Sequence, residues 1–413
     1  MEKEVIEISE PEIVEEIKLP DGWEWKKLGE IAKTTSGGTP SRGNRAFWEN
    51  GNIPWLKSGE LTDGFVFKSE EFITEEALKN SSAKLFTKDT LLLALYGATA
   101  GKLGILDFDA TTNQAICAIK NEYKLFDNFF LFYYLLSKRK QIIKDSFGGA
   151  QPNISQDYVK NLLIPLPTLP EQKRIVAKLD ILFEKIDKSI KLLEENIEYT
   201  NKLMASVLND VFEELETNHD LSEIKSIIEK NQTYNPEKEP DSYFTYIDIS
   251  SIDRNTFKIN PDKYLLGKDA PSRARKKVQT GDVLFATTRP NLKNIGVISE
   301  NYDNPICSTG LAVLRVNKSK SINKFVFYFL ISEKLQDLIT PFIRGAQYPA
   351  ISDNDLYNCN IPLPSLSEQQ RIVTYLDQIF EKSQKSIKDQ KQKLENIKAL
   401  KSSILNSAFK GEL

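Results

Sequence analysis

Histidine is almost missing from this chain: His219 is the only one in 413 residues. That leaves little room for His-based zinc centres or for Ser–His and Cys–His nucleophilic sites. Cysteine is nearly as scarce. Cys117, Cys307 and Cys359 are scattered, with no C-x-x-C pair, which fits a reducing compartment and predicts a cytoplasmic protein. Long apolar runs are absent too. "FFLFYYLL" and "TLLLALYGATAG" fall short of the roughly 18–20 residues that a membrane span needs, so no membrane partner is expected. The opening "MEKEVIEISEPEIVEEIKLP" has no apolar h-region and does not read as a signal peptide.

Cofactor loops are missing as well. "YGATAGKLGI" (96–105) has the look of a phosphate-binding loop, but Gly97 and Gly101 are one residue too close and Leu103 follows Lys102 where a hydroxyl belongs. The better reading is a turn that presents a lysine. There is no Asn/Asp-Pro-Pro-aromatic methyltransferase motif and no nuclease carboxylate–lysine cluster. Asp248 and Asp253 read as solvated or structural, and Cys117 and Cys307 as small core residues. The expectation is a protein without catalytic, cofactor-binding or metal-binding residues of its own.

What the chain does have is a repeat. "IPLPTLPEQKRIVAKLD" at Ile164 returns at Ile361 as "IPLPSLSEQQRIVTYLD". Upstream, 128–151 matches 324–347, 88–106 matches 281–298, and 53–61 matches 243–252. A chain of this length exceeds one ordinary core, and the repeat divides it into globular unit, long helix, globular unit, long helix.

In the first long segment Ile175, Leu179, Leu182, Ile186 and Ile190 recur at three- and four-residue steps. In the second, Ile372, Leu376, Ile379, Ile387 and Leu394 do the same. This spacing is heptad-like with a stutter, and it favours two antiparallel helices packed on each other over two separate surface helices. Pro170 and Ser367 supply start signals. A helix from about Gln172 to Phe212 would rise roughly 60 Å.

The globular units read as mixed α/β (α+β): short Val-, Ile-, Phe- and Tyr-rich strands between turn signals, each closed by a buried helix near 128–145 or 323–340. The net charge of −3 hides an uneven distribution: residues 1–20 carry −5, leaving +2 for the remainder. Local clusters must therefore decide whether the chain meets nucleic acid. Arg42, Arg45 and Lys102 in the first unit and Arg289, Lys293 and Arg344 in the second are read on loops, and "SKRKQIIK" (137–144) and "SRARKK" (272–277) are further basic runs. Arg and Lys can meet guanine edges or phosphates. Gln151 and Gln347, in twin "GAQ" stretches, are candidate base or backbone contacts, and equally candidate helix caps.

On these motifs the chain resembles the specificity (S) subunit of type I restriction–modification systems. "WEWKKLGEI…TSGGTPSRGN…IPWLKSGEL" (23–61) is similar to the start of that family's target recognition domains, and the repeated IPLP-x-L-x-EQ-x-RIV line to the junctions into its helical regions. The resemblance implies a pseudo-two-fold object with an acidic extension (1–19), recognition domains (20–168 and 215–365) and helical spacers (169–214 and 366–413). It implies a non-catalytic reader of double-stranded DNA with a bipartite target and an unread gap. Two adenine-methylating modification subunits and ATP-driven restriction subunits would supply the chemistry, and S-adenosylmethionine, ATP and Mg would belong to them. Two other readings remain beside it: a bivalent coiled-coil adaptor for protein or RNA, and an NTPase using Gly97–Lys102.

Overall fold

The computed structural model describes residues 19–146 and 153–413. The chain forms two compact units: unit 1 runs to Lys191 and includes Glu395–Leu413, and unit 2 spans Leu192–Leu394.

Unit 1 is built from strands β1 (Glu24–Lys27), β2 (Lys33–Ser36), β3 (Ile53–Leu56), β4 (Gly64–Val66), β5 (Glu71–Ile73), β6 (Leu85–Phe86), β7 (Leu91–Ala94), β8 (Leu103–Leu106), β9 (Ala110–Thr112), β10 (Ile116–Lys120) and β11 (Leu163–Leu166). Its helices are α1 (Leu28–Ile31), α2 (Glu75–Asn80), α3 (Asn128–Lys144), α4 (Gln156–Asn161) and the first part of α5 (Leu169–Asn218). The strands form sheets of order β2-β10-β7-β8-β4 and β5-β3-β9-β6, plus the pair β1-β11.

The apolar run of β7 is explained by burial on both faces. Leu91 and Leu93 enter one core with Phe130, Leu131 and Leu135 of α3, while Leu92 and Ala94 enter another with Leu56 and Phe86 of the second sheet. Side chains alternate across a strand, so a four-residue apolar word serves two cores. The layers are thus helix, sheet, sheet.

Unit 2 repeats this plan with β12 (Leu221–Glu223), β13 (Ile228–Glu229), β14 (Tyr243–Ile247), β15 (Lys263–Leu266), β16 (Ala274–Lys277), β17 (Val283–Ala286), β18 (Ile295–Val297), β19 (Ile306–Ser308), β20 (Leu311–Val316) and β21 (Asn360–Pro362). Sheet orders are β13-β20-β17-β18, β15-β14-β19-β16 and β12-β21, matching unit 1 strand for strand except that β4 has no counterpart. Val283 and Phe285 face one core, Leu284 and Ala286 the other. The helices are α6 (Asn323–Ile331), α7 (Glu333–Ile339), α8 (Asp353–Tyr357) and α9 (Leu366–Ala408), whose last residues belong to unit 1.

Two expectations need correction. The single helix expected near 323–340 is broken at Ser332, which is extended (φ −67°, ψ 156°) and accepts from the Leu335 N–H as the cap of α7. The repeat register also shifts by one residue here, because Asn128 pairs with Asn323 rather than with Lys324. Asn128 donates to the Asp89 carbonyl as Asn323 does to that of Gly281, and the Tyr133 and Tyr328 hydroxyls each donate over 2.6 Å, to Asp180 and Asp377.

The repeated line forms the entry to each long helix. Gln172 is fully buried; its amide oxygen accepts from the Asp127 N–H (2.8 Å) and its nitrogen donates to the carbonyls of Leu125 and Pro167. Gln369 does the same with the Ile322 N–H (3.0 Å), the Ser321 hydroxyl, and the carbonyls of Lys320 and Pro364. An amide with both ends satisfied inside a core is a strong orienting device.

Along the helices, Ile175, Leu179 and Ile186 are buried, and Leu182 and Ile190 half-buried, in one core with Leu405, Ala408 and Phe409 from the end of α9. In unit 2, Ile372 and Leu376 share a core with Leu208, Phe212 and Leu215 from the end of α5. In each unit the start of one helix therefore meets the end of the other. Leu394 is buried, and Ile379 and Ile387 are half-buried. α5 reaches Asn218, four residues past the expected helical limit at 214. Among the described residues no helix is long and apolar enough to cross a membrane.

Candidate nucleic-acid interface

In unit 1 the loops that follow β2, β3, β7 and β9 gather at one end of the two sheets. The Ser-Gly-Gly-Thr-Pro turn packs against the end of β9, where the Gly38 N–H donates to the Thr112 carbonyl (2.8 Å). A Cβ on Gly37 would lie 2.1 Å from that same oxygen, so only glycine fits. Trp55 donates to the Gly38 carbonyl (3.0 Å), and Thr39 bonds Gln114. Next along the loop, the Arg42 guanidinium lies 3.8 Å from the Trp48 ring centroid and 4.7 Å from that of Trp55, and it bonds Glu71. Arg42 and, at 3.0 Å, Lys57 hold the Glu71 carboxyl below the usual carboxylate range. The turn after Lys57 touches the next loop through Ser58 and Thr99 (3.0 Å).

In unit 2 the corresponding end is richer in arginine. Thr309 donates to the Arg273 carbonyl (2.8 Å), and Thr287 donates from both its N–H and its hydroxyl to the Gly310 carbonyl. Ile351 donates to Thr287, and Thr288 bridges Ala350, which exchanges two 2.9 Å backbone bonds with Arg344. The segment between them, Gly345–Pro349, is a tight hairpin that exposes Gln347 and Tyr348. Backbone bonds thus bring Arg273, Arg289 and Arg344 onto one loop cluster.

The six candidate cations have different roles. Arg42 is clamped by two tryptophans and a carboxylate. Arg45 is open, its side chain 88% exposed with Glu49 at 3.7 Å. Lys102 is half-buried on the 97–102 turn, which Arg139 braces by donating to the Gly101 carbonyl (2.8 Å) and pairing with Asp63. Lys293 points inward: its ammonium donates to the Ile331 carbonyl (3.0 Å) at the end of α6 and pairs with Glu333 (2.7 Å). Arg344 pairs with Asp355 at 3.4 Å yet stays 70% exposed. Arg289 is exposed, 5.2 Å from the Tyr348 ring centroid. Gln347 is exposed on the hairpin, while Gln151 lies outside the described residues.

Lys102 and Lys293 do not occupy equivalent places: strand register aligns Lys102 with Asn294 and Lys293 with Gly101. In the "SRARKK" run, Lys276 is committed to Asp353 and to the Leu311 carbonyl, and Arg275 to Glu237 at 3.5 Å. Only spatial neighbours reveal these commitments. Tyr348 carries little signal in the sequence beyond being a lone aromatic in a Gly- and Pro-flanked loop.

One pair is inverted between the units. Strand register aligns Trp55 with Tyr246, hence Lys57 with Asp248 and Glu71 with Lys263. Lys57–Glu71 in unit 1 thus becomes Asp248–Lys263 in unit 2, the same bridge with its charges exchanged. Burial alone would raise the Asp248 carboxyl; Lys263 and Ser250 outweigh it and hold the group low. Burial pushes the Cys117 and Cys307 thiols up to about 12, as befits inert core residues. Among the described residues no cluster of His, Cys, Asp or Glu could hold a metal ion.

Comparison with known proteins settles the family. A profile described as "Type I restriction modification DNA specificity domain" matches residues 20–199 and again 208–396. The chain belongs to that family. It is a specificity subunit with two repeated recognition domains. The specificity subunit of the type I restriction enzyme EcoR124I/EcoR124II from Escherichia coli is 31% identical over 195 residues, 44% of this chain and 48% of that protein. The MjaVIII specificity subunit from Methanocaldococcus jannaschii is 25% identical over 423 residues, covering 96% and 94% of the two chains. Among solved structures, the HsdS subunit from Thermoanaerobacter tengcongensis matches with a TM-score of 0.57 at 25% identity, over 96% of this chain and 98% of that one. A chain from a structure of type I R-M complex assembly and conformational transition shares the fold at a TM-score of 0.78 and 24% identity, over 96% and 100%.

Proposed function

We propose that each unit reads one half of a bipartite duplex DNA target, and that α5 and α9 carry the subunits that act on it. The observation that supports this most directly is the repeat itself: one three-layer frame built twice, with different side chains on the loops at the same sheet end. Duplex DNA is approximately two-fold, so two equivalent frames can each address a half-site. Residues 20–168 and 215–365 act as the readers, with Arg42, Arg45, Lys102, Arg289, Arg344 and Gln347 in contact with bases or phosphates. Two modification subunits bind the helices and bring S-adenosylmethionine, and restriction subunits bring ATP and Mg.

The test is to assemble the full chain with its modification subunit and read the methylated motif across a genome. Exchanging residues 20–165 for those of a relative should change one half of the motif and leave the other intact. A change in both halves would mean that the units form one composite site.

A further inference from the structure

Unit 2 has arginine where unit 1 has glycine, at a turn that suits glycine better. The register fixes the correspondence. Leu91 pairs with Ile105 and Leu93 with Leu103, as Val283 pairs with Val297 and Phe285 with Ile295, so the two turns have equal length. Gly97 and Gly101 have φ of 78° and 79°; at the matching places Arg289 and Lys293 have φ of 51° and 53°. Non-glycine residues avoid this left-handed region, because Cβ crowds the backbone. Two exceptions in one turn call for a cause.

For Lys293 the cause is structural, since its ammonium caps the end of α6. Arg289 has no such duty. Its backbone N–H donates to the Pro349 carbonyl (2.7 Å), which fixes the turn whatever the side chain. Its guanidinium has no hydrogen-bond or ion-pair partner among the described residues; it meets only the ring of Tyr348, itself 64% exposed. At Gly97 a Cβ would meet nothing within 4 Å among the described residues, so the position opens outward.

We infer that Arg289 reads a guanine in the half-site of unit 2, its two-pronged guanidinium donating to O6 and N7 in the major groove. Tyr348 holds the guanidinium, and the exposed Arg273 and Arg344 on the same loop cluster meet flanking phosphates. A phosphate contact needs only charge, which a lysine at the same place would supply equally well. A planar fork backed by an aromatic ring suits bidentate recognition of a base edge. This rests on the proposal that unit 2 reads DNA.

The test is selection from a duplex library with a randomised half-site, using the full chain in complex with its modification subunit. Arg289→Gly removes the side chain and restores the solution of unit 1, so its melting temperature should be unchanged or raised. Arg289→Lys keeps the charge and loses the fork. Wild type should select a guanine at one position of one half-site. Both variants should lose about ten- to a hundred-fold of that preference while the other positions hold. A wild-type motif that either variant retains overturns the inference. So does uniform weakening by Arg289→Gly, with Arg289→Lys unaffected, since that marks a phosphate contact. If the wild-type complex selects no sequence, the DNA-reading proposal falls as well.

Discussion

The two units share a backbone plan but stabilise it by different means. At the strand ends where unit 1 has Thr90 and Lys120, unit 2 has Asp282 and Arg315, bonded through both carboxylate oxygens at 3.0 and 2.7 Å and nearly buried. Lys57–Glu71 is inverted as Asp248–Lys263, and two turn glycines are exchanged for cations. All four tryptophans lie in unit 1. The two frames keep the alternation of core residues, the register and the Gln172 and Gln369 bonds. The charge arrangements between strands differ freely, as long as each is closed.

The largest expected break in this comparison is at Asp282. Asp282→Ala leaves Arg315, only 15% exposed, without its counter-charge, and should destabilise unit 2 by about 3–5 kcal/mol. Thr90→Ala at the matching place in unit 1 should cost far less. Tryptophan fluorescence follows unit 1 alone, whereas far-UV circular dichroism follows both. Urea unfolding of the Asp282 variant should therefore advance the dichroism transition and leave the fluorescence transition in place. Coincident shifts would show that the units unfold as one.

Gln172→Leu and Gln369→Leu should act alike, each leaving an N–H and carbonyls unpaired in a core, at about 1–3 kcal/mol. The fluorescence transition should move for Gln172 and the dichroism transition alone for Gln369. A cost in one unit only would show that the repeated line serves different purposes in its two copies.

The smallest effect is a pH response. Arg42 and Lys57 depress the Glu71 carboxyl, so its contribution to the loop is complete above the ordinary value of 4.5 and is lost as pH falls through the lower folded value. Acidification should change the emission of Trp48 and Trp55 in that lower range, and Glu71→Gln should remove this acid-limb change. The matching bridge in unit 2 titrates with the same sign but has no tryptophan beside it.

Much of this architecture could be read from the chain. The doubled Ile-Pro-Leu-Pro line, the apolar steps from Ile175 and Ile372, and the strand words around Leu91 and Val283 all mark local preferences that the tertiary structure reinforces. The cations were not legible as a group. Lys293 and Arg289 are four residues apart in one basic loop, yet one caps a helix and the other faces solvent; only the position of Ile331 separates them. The break at Ser332 was hidden for a similar reason. Ser-Glu-Lys reads as helix continuing, or as a cap and a new start, and packing chooses.

Gln172 recognises almost nothing but main chain: the Asp127 N–H and the carbonyls of Leu125 and Pro167. Gln369 adds only one hydroxyl to the same set. A joint that grips peptide groups is indifferent to which side chains the attached domain carries. A domain of foreign sequence, brought in by recombination at the repeated line, would find its socket ready provided its backbone arrives on the same path. The doubling of that line gives a genome two places at which to splice in new readers, and the helices need not change to receive them.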